Sequence, residues 1–237
     1  GSTRKNSTFD TAWAAIKASA KNSNCSIKVL KNITLSENTE YKLEYRNLDI
    51  FADRDVTVTI PTGTGFTVKN GDQYNGNDAK LTLGNSNSAG TITFDGNSAE
   101  FTSSVFSVTG NGNYRGHLVL NDGVTIKNFI IKGSGDVGLI HNVGLFDMNG
   151  GVITENTVNT NSSNTAILYN CRDLNIKGGK IISNTVSNAG RIVFVLQSDK
   201  AQLTMTGGEI TSNKVKDVVV QIANDDSSGF GSATITG

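Results

Sequence analysis

Apolar and polar residues alternate along much of this chain in short runs, and the runs return at a nearly fixed interval. "LFDMNGG" (145–151), "LNIKGG" (174–179) and "LTMTGG" (203–208) place apolar side chains two apart: Phe146 and Met148, Leu174 and Ile176, Leu203 and Met205. That period is the period of a β-strand with one face buried. Each run leads into one phrase, Gly-Gly-x-Ile-x-x-Asn, whose second glycines, Gly151, Gly179 and Gly208, are 28 and then 29 residues apart. After each asparagine comes another strand-length run, "AILY" (166–169), "RIVFVL" (191–196) and "VVVQI" (218–222), rich in β-branched and aromatic residues. A weaker copy, "LVLNDGVTIKN" (118–128), puts Gly123 and Asn128 28 residues ahead of Gly151 and Asn156. "ATITG" (233–237) restarts the phrase and sets Ile235 over Met205 and Gly237 over Gly207.

Self-similarity at this interval is the signature of a solenoid. No helical segment occurs within the period, which excludes leucine-rich and ankyrin-type arrays. Three short strands per coil of 28–29 residues predict an all-β, right-handed parallel β-helix, each strand pairing with its equivalent ~4.8 Å above and below. The repeated residues then have structural roles. Gly151, Gly179 and Gly208 supply positive φ for a sharp turn. Ile153, Ile181 and Ile210 stack into a continuous core. Asn156, Asn184 and Asn213 form a ladder of side-chain amides, since asparagine tolerates the left-handed conformation and satisfies its own turn.

The front of the chain reads differently. Within "STFDTAWAAIKASAKNSN" (7–24), Trp13, Ile16 and Ala20 are spaced for one helix face, predicting a helix over 9–24 that covers the open end of the solenoid. Residues 25–117 carry less regular strands, "SIKVLKNITL" through "VFSV", and 118–237 the regular coils. The whole reads as one β-helix domain, with residues 1–8 expected to be a cloning remnant and boundary and the array expected to continue past residue 237.

Composition narrows the function classes. The 237 residues hold 21 basic and 21 acidic side chains with neither sign in a long block, so nothing calls for nucleic acid or an anionic membrane as partner. No apolar run is long enough to cross a bilayer. Cys25 and Cys171 are too few and too distant for a zinc site, and are expected to be free, buried thiols several coils apart, beyond the ~7 Å reach of a disulfide.

"LTMTGGEITSNKV" (203–215) resembles the Gly-Gly repeats of large bacterial surface proteins, adhesin-like β-helices of the pectate-lyase-like superfold, and distantly those of the chlamydial polymorphic outer-membrane proteins. The resemblance covers about residues 118–237 and departs from the chlamydial pattern, which pairs its glycines with a recurrent Phe-x-x-Asn. It implies an exported, extracellular, cell-surface protein whose signal and anchor lie outside this fragment, a monomeric binding or stalk module recognising a glycan or a host surface protein.

Parallel β-helices also include polysaccharide lyases and glycoside hydrolases, the alternative reading. Acid/base cleavage needs two carboxylates facing one sugar. "DRD" (53–55) reads as a solvated bend, "NDDSSG" (224–229) as a loop, and "NGDQYNGND" (70–78) lacks the spacing of a calcium loop. His117 and His141, 24 residues apart, can share a face of neighbouring coils, but neither has a carboxylate or thiol beside it in sequence. No catalytic residue, metal ligand or cofactor is assigned. The candidate binding residues lie where loops interrupt the solenoid: Tyr74 within 69–79, and Tyr114, Arg115 and His117 within "GNGNYRGH" (110–117). One expectation is directly measurable: denatured but unreduced protein should react with two equivalents of a thiol reagent, and a value near zero would overturn the coil assignment of Cys25 and Cys171.

Overall fold

A computed structural model of the chain describes residues 5–74, 76–84, 89–162, 164–195, 200–216, 218–225 and 229–236. Its strands stack coil upon coil into a parallel β-helix. Following one coil, Leu145–Met148 lies in sheet 1, Val152–Thr154 in sheet 2, Thr157–Thr160 in a shorter sheet and Thr165–Asn170 in sheet 3, before Asp173–Ile176 re-enters sheet 1. Among the described residues, sheet 1 has eight strands and sheets 2 and 3 have seven each, all parallel to their neighbours. The short sheet, five strands, is the element the hydrophobic pattern did not separate, because "TVNT" buries only Val158 and Thr160.

Register follows the sequence phrase. Phe146 lies on Leu174 and Leu174 on Leu203; Ile153 lies on Ile181 and Ile181 on Ile210; Met205 lies on Ile235. Ile153 and Ile181 are fully buried, each contributing about 1.5–3 kcal/mol of apolar burial that a single coil could not achieve alone. In the front half an inner column of sheet 3 is aromatic: Tyr41, Phe66 and Phe106 stack at centroid distances of 5.2 and 5.5 Å. Gly237 lies outside the described residues, as does Leu196.

The helix α1 runs Phe9–Ala18, shorter than the pattern predicted. Thr8 caps its start, accepting from the Thr11 amide, while the Ser19 hydroxyl and amide both bond to the Ile16 carbonyl and end it. The buried face is therefore Phe9 and Trp13, with Ile16 packed beside them; Ala20 is exposed and outside the helix. Phe9 and Trp13 meet Tyr41 edge-on, both at 5.2 Å, so α1 closes the first coils with aromatic rings. Both cysteines are free and half-buried rather than buried; Cys25 pairs with Leu48 on the first strand of sheet 1, whereas Cys171 precedes the sixth, about 24 Å away along the stack.

The turns carry the strongest corrections. Gly151, Gly179 and Gly208 do adopt φ of +77° to +81°, and Gly84 and Gly123 share that conformation at the same corner. The ladder asparagines do not; the left-handed residue is the one before each, Glu155, Ser183 and Ser212 at +55° to +56°. Asn128 occupies that preceding position itself, because Ile126 pairs with Ile153 and the coil is one residue shorter than the glycine spacing implies. Phe129, not Asn128, stands under Asn156 and donates its amide to the Asn156 Oδ1 at 3.0 Å. The ladder proper runs Asn156, Asn184, Asn213: each lower Nδ2 and backbone amide donates to the Oδ1 above at 2.9–3.0 Å, and each Nδ2 also donates to a carbonyl of the coil below. A second ladder, Asn142 on Asn170 at 2.7 Å, stands at the corner from sheet 3 to sheet 1, and Asn149 on Asn121 at 3.1 Å at the corner from sheet 1 to sheet 2.

Since Asn184 serves both neighbours and is fully buried, Asn184→Ala should orphan donors and acceptors in two coils and cost about 3 kcal/mol or more. Urea unfolding reads this; a loss below ~1 kcal/mol would mean the ladder is incidental.

Candidate functional site

Three corners of the coil are held by asparagine or glycine turns, and two consecutive coils break the rule at one corner. Between Phe106–Val108 of sheet 3 and His117–Leu120 of sheet 1 the chain inserts a hairpin, Gly110–Asn111 pairing antiparallel with Tyr114–Arg115. The coil below inserts residues 69–79 at the same place, between Gly65–Val68 and Lys80–Leu83. The two insertions are tied together where they leave the solenoid: the Asn70 amide donates to Thr109 Oγ1 at 3.0 Å, and that hydroxyl donates to Asn70 Oδ1 at 2.8 Å. The fold thus brings both predicted binding loops to one corner, then turns them apart.

The lower loop bends toward the first coils. Asp72 Oδ1 accepts the Tyr74 amide at 2.7 Å, Asp78 Oδ1 accepts the Gly71 amide at 2.6 Å, and the Asn77 amide reaches Asn22 Oδ1 at 3.0 Å. Asp72 Oδ2 also accepts from the Tyr45 hydroxyl at 3.3 Å, and Tyr74 projects from the tip, 85% exposed. The upper hairpin bends the other way, over sheet 1. Arg172 Nη2 donates to the Gly112 carbonyl at 2.9 Å and Arg115 pairs with Asp173, two coils further on, which pins the hairpin across the sheet and leaves Tyr114 at its edge, 37% exposed.

His117 sits on the outward side of sheet 1, its Nε2 3.1 Å from Asp147 Oδ2. Asp147 Oδ1 accepts from Asn175 Nδ2 at 2.8 Å and lies 3.3 Å from Lys177 Nζ. The hydrogen bond from His117, together with that from Asn175, holds the Asp147 carboxyl well below the usual carboxylate range despite its half-burial. Arg115, His117, Asp147, Asp173, Asn175 and Lys177 therefore make one polar strip over three coils, with fixed donors and acceptors at roughly the coil spacing. Sequence adjacency hid Asp147 and Asp173. The signal is an offset of one coil plus two residues, His117 to Asp147, or two coils plus two, Arg115 to Asp173, which keeps a side chain on the same outward face.

The histidines do not share a face. His141 lies on the outward side of sheet 3, in register with Ser107 and Tyr169. Its ring meets Tyr169 edge-on at 5.1 Å and its Nε2 lies 3.6 Å from Cys171 Sγ, again an offset of one coil plus two. Burial pushes the Cys171 thiol up to about 12 and His141 below its ordinary 6.5, so the pair is neutral rather than a thiolate–imidazolium couple. "DRD" is a bend: Lys28 bonds Asp53 at 2.6 Å, and Asp55 accepts the Thr91 amide and hydroxyl at 3.0 and 2.8 Å. Residues 226–228 of "NDDSSG" lie outside the described residues. No group of three or more metal-ligating side chains gathers among the described residues, and no described helix is long and apolar enough to cross a membrane.

Comparison of the chain with protein-family models, with curated proteins and with solved structures finds no match.

The depressed His141 gives a signed pH dependence. The folded state resists a proton that the unfolded chain accepts, so this contribution is whole above pH 6.5 and is lost as pH falls from there toward the folded value. Stability measured by urea unfolding should decline from pH 7 to pH 5, and His141→Gln should flatten that slope whatever its absolute cost; an unchanged slope would place His141 in water.

Proposed function

We propose that this domain is an adhesin-like binding module that recognises a glycan on the outward face of sheet 1, beneath the 110–117 hairpin. The observation that carries the reading is the strip itself: six charged or amide side chains from successive coils, cross-braced so that their donors and acceptors are fixed before a ligand arrives, beside the half-exposed ring of Tyr114. Sugars present planar apolar faces to aromatic rings and rings of hydroxyls to charged and amide groups, and prior fixation of those groups lowers the entropy cost of binding. The repeat itself is committed to stacking, which leaves recognition to the insertions that interrupt it. The Gly-Gly phrase resembles that of exported bacterial surface proteins, which supports placing the module outside the cell.

The chemistry of the strip favours binding over cleavage. Glycoside hydrolysis needs one carboxyl kept protonated to donate to the leaving oxygen. Asp147 is instead held ionised by His117, Asn175 and Lys177, and Asp173 is clamped by Arg115. Neither is placed as a general acid.

A glycan array run beside a reducing-end assay on the same polysaccharides tests the reading. Capture without new reducing ends is expected, with Tyr114→Ala weakening it about tenfold at unchanged unfolding midpoint. New reducing ends, or a folded Tyr114→Ala protein with full binding, would overturn it.

A further inference from the structure

A second polar concavity lies on another face of the solenoid. Outside sheet 3, over the coils that precede His141, a cleft of about 440 Å³ is lined by Glu40, Thr67, Ser103, Ser104, Ser107 and Asp136. Its floor follows from the strand register. Thr67 and Ser107 are paired on adjacent strands with their side chains outward, and Gly65, in register with Glu40, adds no side chain, so the wall drops there. Its volume is in the range of small-ligand sites.

The lining has a definite chemical character. Glu40 stands at one end and Asp136 at the other, three coils apart, about 14 Å along the stack. The two charged side chains that line the cleft among the described residues are both carboxylates, and the neighbouring Lys42, in register with Thr67, is paired with Glu44 at 3.2 Å. Glu40 Oε1 accepts from Thr67 Oγ1 at 2.6 Å, leaving its other oxygen outward. Asp136 Oδ1 accepts weakly from Asn164 Nδ2 at 3.3 Å. Between them, Ser103 and Ser107 spend no hydroxyl on a protein partner among the described residues, whereas Ser104 Oγ accepts the Gly138 amide at 3.1 Å. Behind the cleft's rim the fully buried Tyr169 turns its hydroxyl toward Asp136.

We propose that this cleft binds a short oligosaccharide bearing free amino groups, its ammonium groups meeting Glu40 and Asp136 and its ring hydroxyls meeting Ser103, Ser107 and Thr67. Two separated carboxylates select cationic groups at matched spacing. The hydroxyls between them select a polyol over a linear polyamine, whose methylenes would desolvate them without return. A metal ion is disfavoured, since the two carboxylates stand too far apart to share one and no third ligand joins either. No residue here belongs to the sheet 1 strip, so the two sites stand or fall separately.

The test is calorimetric titration at about pH 6, where a sugar amine carries its proton. The probes are the β1,4-linked glucosamine trimer, its fully N-acetylated counterpart and spermidine. The glucosamine trimer should bind, the acetylated trimer about tenfold more weakly, and spermidine also more weakly. Glu40→Gln and Asp136→Asn, both at exposed positions that leave the fold intact, should each cost about tenfold for the amine trimer. Tyr114→Ala, on the other face, should leave that affinity unchanged. Absence of binding, equal affinity for the two trimers, spermidine matching the trimer, or a loss confined to Tyr114→Ala would each overturn the proposal. Failure of the glycan array at sheet 1 would not touch it.

Discussion

Everything in this molecule depends on each coil lying on an identical backbone path. Parallel stacking satisfies the strands, but it also brings every corner of one coil against the same corner of the next, where bent backbone leaves polar groups that no strand can pair. Asparagine resolves this. The side chain of Asn184 accepts from the amide and side chain of Asn156 and donates to carbonyls of its own and the preceding coil. The ladder therefore fixes coil height, corner angle and register together, and the isoleucine column can be continuous only because the corners repeat. Where the ladder ends, a buried Phe129 takes the position and the amide bond is kept, so the backbone path survives the change of residue.

Function on such a scaffold is a matter of which faces escape the constraint. Inward columns are fixed by packing and corners by hydrogen bonding, leaving outward strand positions and insertions free. On sheet 1 those positions are occupied by cross-braced charges, a costly use of side chains if the surface were idle, since exposed ion pairs contribute little to stability. On sheet 3 the outward column changes character along the stack, from Thr67 and Ser107 to His141, Tyr169 and Phe194. The hydroxyl half is open and forms the cleft; the aromatic half is packed over. The neutrality of His141 and Cys171 belongs to that packing, burial disfavouring the charged form of both.

The fold was legible because stacking leaves a signature at every period. Glycines at +77° to +81° stand where only glycine is unstrained, and alternation within each strand states which side is buried. The boundaries were less so. α1 stops at Ala18 because Ser19 captures the Ile16 carbonyl, a local hydrogen bond that helical spacing does not register. Glycine spacing sets Asn128 under Asn156, but Gly123 and Ile126 are three residues apart where Gly151 and Ile153 are two, so Phe129 takes that place. The short sheet escaped notice since its strands bury so little.

By itself the sequence determined the parallel β-helix, the columns that form its core and the places where loops interrupt it, since each is a local pattern repeated in register. Only the tertiary structure decided what those loops and faces bring together. Asp147 beside His117, Asp173 beside Arg115, Cys171 beside His141 and the cleft between Glu40 and Asp136 all join residues one to three coils apart. In a solenoid, neighbours across the surface are set by coil length, and coil length varies by insertion; no contact of that kind exists until the coils have closed.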